Sequence, residues 1–197
     1  MLEAFMSEEE FLKNRVETRE TNKNEKNKEI WEWIVSIVIA VVLALLIRTF
    51  LFEFIRVEGP SMEPTLYTGY QVMINKVEYR LHPPERGDII VCQYPGRTAN
   101  YVKRIVAIEN QVVEVRNEKV YIDGKPIEEK YIKEPVLENT VPFTVPAGSV
   151  FVMGDNRNDS MDSRDGTVGP ISRTMILGKA DGIIWPFQAF HWFPKIF

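Results

Sequence analysis

Val112-Val113-Glu114-Val115-Arg116-Asn117-Glu118-Lys119-Val120-Tyr121-Ile122-Asp123-Gly124 is the stretch that decides the fold class. Two short runs rich in β-branched residues flank Asn117-Glu118, and Asp123-Gly124 follows directly. β-Branched side chains suit a pleated, half-buried surface. Asp-Gly favours the left-handed backbone of a tight turn. The spacing predicts a hairpin with its tip at Asn117-Glu118, then a second turn at Asp123-Gly124.

Runs of the same kind recur on both sides. They are Gln71-Val72-Met73-Ile74, Asp88-Ile89-Ile90-Val91, Tyr101-Val102-Lys103-Arg104-Ile105-Val106 and Val150-Phe151-Val152-Met153. Prolines 126, 135, 142 and 146 argue against long helices between 123 and 150. No internal repeat interrupts the pattern. The expected fold is mainly β, an antiparallel sandwich- or barrel-like domain with long loops. The aromatic stretch from Ile183 to Phe197 fits both core packing of a C-terminal strand and contact with a membrane interface.

The N-terminal quarter differs. Residues 1–29 are polar and of mixed charge, which predicts a mobile or loosely helical tail. Ile34 to Ile47 then carries no charge, and Trp33 to Phe52 makes 20 residues, about the 20 that a bilayer-spanning helix needs. Trp31 and Trp33 mark one interface, with Phe50, Phe52 and Phe54 at the other. A buried helix of a soluble protein is the alternative. A cleavable signal peptide is not favoured, since bulky Arg48-Thr49-Phe50-Leu51 follows the apolar run. Lys13, Arg15, Arg19, Lys23, Lys26 and Lys28 precede the span, whereas Arg48 and Arg56 follow it closely. This asymmetry puts the N-terminus in the cytoplasm. The expected organisation is a cytoplasmic tail over 1–29, a single transmembrane anchor helix over 30–54, and an extracytoplasmic β domain over 55–197.

The chain has 197 residues and a net charge of −4. That suffices for one domain and an anchor, and no basic excess points to nucleic acid. Its one cysteine, Cys92, cannot form an internal disulfide and reads as a small buried hydrophobe.

Three segments carry candidate chemistry. Gly59-Pro60-Ser61-Met62-Glu63-Pro64-Thr65-Leu66 sets a serine in a rigid turn just past the anchor. Ser61 is a turn serine or a nucleophile whose own N–H faces an oxyanion. His82 and His191 lack an obvious orienting carboxylate and read as surface or packing residues. A lysine base remains possible. In Tyr101–Val106, Lys103 and Arg104 face opposite sides of a strand, so one of them should face the interior. Burial would lower the lysine pKa and free a neutral amine, whereas arginine stays charged. Two charges on a solvated sheet edge are the alternative. In Gly154-Asp155-Asn156-Arg157-Asn158-Asp159-Ser160-Met161-Asp162-Ser163-Arg164, Asp162 and Arg164 could pair, and Ser160 could orient a nearby amine. The alternating acidic pattern and distal glutamate of a calcium loop are missing.

Together, and in this order behind a membrane anchor, the three segments resemble the signature boxes of bacterial type I signal peptidases, a Ser–Lys dyad peptidase family. Gly87-Asp88-Ile89-Ile90-Val91 resembles a family strand as well. The likeness covers about residues 30 to 186. It implies Ser61 as nucleophile and Lys103 as general base. It also implies Ser160 orienting that base, with Asp162, Arg164, Gly154 and Asp155 as support. The substrates implied are signal peptides of secreted preproteins, cut after small-x-small motifs at the bacterial cytoplasmic membrane, with no metal or cofactor. Gly59 stands where some members carry an oxyanion-hole serine, so only the Ser61 N–H is implied as donor. Ala107-Ile108-Glu109-Asn110-Gln111 departs from the family's usual Gly-Leu-Pro-Gly-Asp turn. The short length points to a Gram-positive-like form. Two other readings remain. One is a Ser–Lys peptidase akin to self-cleaving repressors, though no DNA-binding segment is evident. The other is a catalytically silent, membrane-tethered β module that binds extended peptides.

Overall fold

The computed structural model describes residues 8–194, with side chains from Lys28 onward. The first residues of the expected tail and the last three of the aromatic stretch lie outside the described residues. The chain divides into two compact units, Met1–Ile47 and Arg48–Phe197.

The first unit is helical. Helix α1 (Glu8–Phe50) runs for 43 residues without a break. No glycine or proline interrupts it, and Glu, Lys, Leu and Ala are good helix formers. From Glu8 the polar segment is therefore regular helix, continuous with the apolar run. Lys28–Phe50 is long and apolar enough to cross a membrane, and side chains such as Trp33, Ile39 and Leu43 are exposed.

The helix stops earlier than expected. Strand β1 (Phe52–Arg56) already pairs antiparallel with β2 (Gln71–Asn75), from Phe52 opposite Asn75 to Arg56 opposite Gln71. The expected anchor helix over 30–54 thus gives way to strand at Phe52. Aromatic and β-branched residues at 52, 54 and 55 suit the pleat, and β2 takes up their backbone hydrogen bonds.

The second unit is mainly β. Short helix α2 (Glu78–Leu81) follows β2, then come β3 (Ile89–Gln93), β4 (Asn100–Ile108), β5 (Val112–Arg116) and β6 (Lys119–Ile122). They are followed by β7 (Lys125–Pro126), β8 (Phe143–Thr144), β9 (Ser149–Met153), β10 (Ile171–Ser172), β11 (Ile176–Trp185) and β12 (His191–Trp192). One eight-stranded sheet has the order β1-β2-β11-β3-β4-β9-β10, with β12 on β11. A four-stranded sheet has the order β7-β6-β5-β8. All pairings are antiparallel.

The deciding hairpin forms as its residues predict. Arg116 sits opposite Lys119, with Asn117 and Glu118 at φ +47° and +62°. Asp123 and Gly124, at φ +52° and +76°, turn the chain into β7. Val113, Val115, Val120 and Ile122 point into a core shared with Val106, Phe151 and Met153, so β5 and β6 bury one face each.

β4 positions the site. It lies between β3 and β9, and both of its faces are covered. Ile105 packs with Ile90 and Cys92, while Val106 packs with Val113 and Phe151. The pairing with β9 shifts register between Ile105 and Ala107. Cys92 is buried and unpaired.

Candidate active site

The Ser61 turn connects β1 to β2 and is pinned from below. Met62 and Leu66 are fully buried. Glu63 N–H donates to Pro60 O at 3.0 Å and Leu66 N–H to Met62 O at 2.8 Å. Gly59 has φ +84°, a backbone conformation that glycine adopts at no steric cost, and open space lies beside it. A serine at that position would carry a strain that glycine avoids.

Lys103 and Arg104 are only 3% and 2% exposed. The expectation that one of them faces the interior is too modest, because a central strand covered on both faces buries both. Lys103 Nζ lies 2.6 Å from Ser61 Oγ and donates to Val102 O at 3.1 Å. The two residues are 42 positions apart in sequence. Burial depresses the Lys103 pKa below 10.5, while the nearby charge of Asp162 pulls it back upward. Desolvation is the larger effect, so the neutral amine is favoured relative to an exposed lysine.

Arg104 has a different fate. Its Nε and Nη2 reach the two carboxylate oxygens of Asp155 at 2.8 and 2.6 Å, and Nη1 donates to Gly87 O at 2.9 Å. The Thr65 hydroxyl donates to Asp155 Oδ2 at 2.6 Å, which ties the Ser61 turn to the same carboxylate.

The turn after β9 forms the floor. Asn156 N–H donates to Ser61 O at 3.1 Å, and its side-chain amide to Pro60 O at 3.2 Å. A Cβ added to Gly154 would collide with Ser61 O and the Ser160 side chain, so only glycine permits this approach. Asp162 is the hub. It accepts from Gly154 N–H at 3.0 Å, from the Ser160 hydroxyl at 2.8 Å, and from Arg164 Nε and Nη2 at 2.8 and 2.9 Å. Arg164 also reaches Arg157 O at 2.6 Å. Among the hydrogen bonds of the described residues, Ser160 serves Asp162 and shares none with Lys103. The expected Asp162–Arg164 pair is thus present, whereas Ser160 bonds Asp162 and not the amine.

His82 faces Glu78 at 3.6 Å on the surface, and His191 lies edge-on to Phe193. Among the described residues, no group of three or more His, Cys, Asp or Glu side chains could hold a metal ion.

Other partners at the site escaped the sequence reading. Asn156 and Arg157 lie within a recognised segment, but nothing in their spacing reveals their bonds. Glu129 and Tyr131 belong to a charged loop that reads as plain surface. Arg157 is nevertheless fully buried and grips Glu129 through two bonds of 2.6 Å.

Comparison with known proteins identifies a family for the chain. Residues 30–185 match the family model described as signal peptidase, peptidase S26. Signal peptidase I of Bacillus licheniformis is 39% identical over 181 residues, covering 87% of this chain and 96% of that one. Signal peptidase I S of Bacillus subtilis (strain 168) is 40% identical over 174 residues, covering 83% and 93%. A crystal structure of a signal peptidase I from Enterococcus faecalis V583 is 31% identical, with a TM-score of 0.43, covering 50% of this chain and 97% of that one.

Proposed function

The chain belongs to the signal peptidase family of peptidase S26, serine endopeptidases, and from that premise we propose that Ser61 and Lys103 form its catalytic dyad. The observation that carries this reading is the 2.6 Å contact between Ser61 Oγ and an almost fully buried lysine amine. That distance is within reach for direct proton transfer.

A preprotein presents its cleavage region as an extended strand and adds to a sheet edge beside Ser61. Small pockets accept small side chains one and three residues before the scissile bond. Neutral Lys103 takes the Ser61 hydroxyl proton as Oγ attacks the carbonyl carbon. The oxyanion is held by backbone N–H groups, the Ser61 N–H among them. The C–N bond then breaks, and the Lys103 ammonium gives its proton to the leaving amine. Lys103 next deprotonates water, which attacks the acyl carbon and releases Ser61. Ser160 and Arg164 hold the Asp162 carboxylate, which accepts from Gly154 N–H and whose charge lies close enough to Lys103 to raise its pKa against the larger effect of burial. Asp155 supports the Ser61 turn through Thr65.

Residues 1–29 form the cytoplasmic segment, the membrane anchor lies within 30–54 with its helix ending at Phe50, and 55–197 work outside the cytoplasmic membrane. The Lys/Arg asymmetry around α1 supports that orientation. The work requires no metal.

The test is cleavage of a purified model preprotein in detergent micelles by the wild type, Ser61→Ala and Lys103→Ala, with EDTA in parallel. We expect cleavage after a small-x-small site that survives EDTA. Each variant should lose at least about a thousandfold in rate, as members of such units do. Normal cutting by either variant would refute the dyad. A wild type that binds preprotein without cutting it would leave a silent peptide-binding module instead.

A further inference from the structure

The loop between β7 and β8 belongs to the four-stranded sheet, yet it is laced to the floor of the site. Lys133 N–H donates to Asp155 O at 3.1 Å. Leu137 N–H donates to Asn158 Oδ1, and Asn158 Nδ2 to Pro135 O, each at 3.0 Å. Lys133 Nζ also reaches Glu63, inside the Ser61 turn, at 2.9 Å.

Within this loop, the Tyr131 hydroxyl donates to Glu129 Oε1 at 2.7 Å. Glu129 in turn receives both Nη atoms of Arg157. The Arg104 guanidinium lies 4.0 Å above the Tyr131 ring, and that of Arg157 lies 5.9 Å from it. Burial and the Glu129 carboxylate raise the Tyr131 pKa, so its hydroxyl stays protonated and keeps donating.

We propose that Tyr131, held by Glu129, is a positioning residue of the peptidase site, its ring clamping the Arg104 and Arg157 guanidiniums. This rests on the Ser61–Lys103 reading. The clamp meets the dyad by two routes. Arg104 is the chain neighbour of Lys103, and its fork fixes Asp155, which receives the Thr65 hydroxyl. Arg157 donates to Gly154 O at 3.0 Å and so holds the turn whose Asn156 N–H grips Ser61 O. A guanidinium over a tyrosine face is attracted by the ring quadrupole, most strongly where water is excluded. Without the ring, both arginines border a void and the turn is free to shift against Ser61. Small displacements of reacting groups cost large factors in rate.

The test uses the full chain in detergent micelles with a model preprotein. It compares Tyr131→Leu, Tyr131→Phe and Glu129→Gln with wild type, with folding checked by urea titration. Tyr131→Leu should lower kcat about tenfold with little change in KM. It should also move the acidic limb of the kcat profile to higher pH, because a turn that shifts away from Ser61 opens Lys103 Nζ to water and weakens the desolvation that depresses its pKa. The charged and titratable groups around that amine are Asp162, Arg164, Asp155 and Cys92, all unchanged in these variants. Tyr131→Phe keeps the ring and should retain most of kcat and the wild-type limb. Glu129→Gln, which weakens the hold on Arg157 as well as the Tyr131 bond, should shift kcat and the limb in the same direction, and Tyr131→Met takes the place of Tyr131→Leu if that variant does not fold. A folded Tyr131→Leu with wild-type kcat and limb would overturn the proposal, as would a Tyr131→Phe equally impaired. Ser61→Ala in the same series separates the two ideas, since cutting by that variant defeats the dyad itself.

Discussion

Two adjacent residues of β4 show what burial does to charge. Arg104 meets a full set of acceptors on its side of the strand, with Asp155 at two points and Gly87 O at a third. Lys103, on the other side, meets a hydroxyl and one carbonyl, with no carboxylate at salt-bridge distance among the described residues. The first arrangement stabilises a permanent charge. The second destabilises a removable one, as the proposed role of Lys103 as a base requires. Burial is nearly the same in both, so the partners decide the chemistry. Lys179, with its side chain 17% exposed, sits 2.6 Å from Asp88 in an ion pair.

The comparison breaks most sharply if Lys103 is made permanently charged. Lys103→Arg should abolish cleavage by about a thousandfold or more, because guanidinium cannot give up its proton. A preprotein assay reads this directly, and retained activity would mean that neutrality of the group at 103 is irrelevant. Removing the partner on the other face should act on stability. Asp155→Ala leaves Arg104 buried without its counterion, and such losses cost about 3–5 kcal/mol. Urea unfolding of the full chain in detergent measures this, and a change within error would show that Arg104 finds another acceptor. The smallest effect is in pH. The folded Lys103 pKa is depressed below 10.5, so kcat/KM should rise with pH through that folded value. Between the folded and unfolded values the unfolded chain binds the extra proton, so stability should rise with pH across that window. In Lys103→Met this contribution to the slope should vanish, and an identical slope would mean that Lys103 is not the titrating group.

Parts of this were legible in the sequence because they are local. The Asn117-Glu118 hairpin needs only its own turn chemistry and two alternating runs. The three functional segments could be recognised because their residues lie close together in the chain. β11 shows the opposite case. Ile176–Trp185 runs through the centre of the sheet, but Gly178, Lys179, Asp181 and Gly182 hide its alternation. Its neighbours β2 and β3 supply the pairing that its own residues do not advertise. Glu129 and Tyr131 were illegible for a similar reason. Glu128-Glu129-Lys130 has the composition of a solvated loop, and only the fold brings Arg157 against it. The end of α1 was misjudged because Phe52 and Phe54 serve a strand as readily as a lipid interface.

The long-range nature of the site also sets a timetable for synthesis. Ser61 waits for Lys103, 42 residues later, Arg104 for Asp155, 51 later, and Thr65 for the same carboxylate, 90 later. Asp162 receives its guanidinium only when Arg164 has been made. A nascent chain shorter than this owns a serine in a turn, but neither a braced lysine nor a floor beneath it. On the proposed dyad, peptidase activity is therefore withheld until most of the polypeptide has left the ribosome, and a growing chain has little capacity to cut its neighbours or itself.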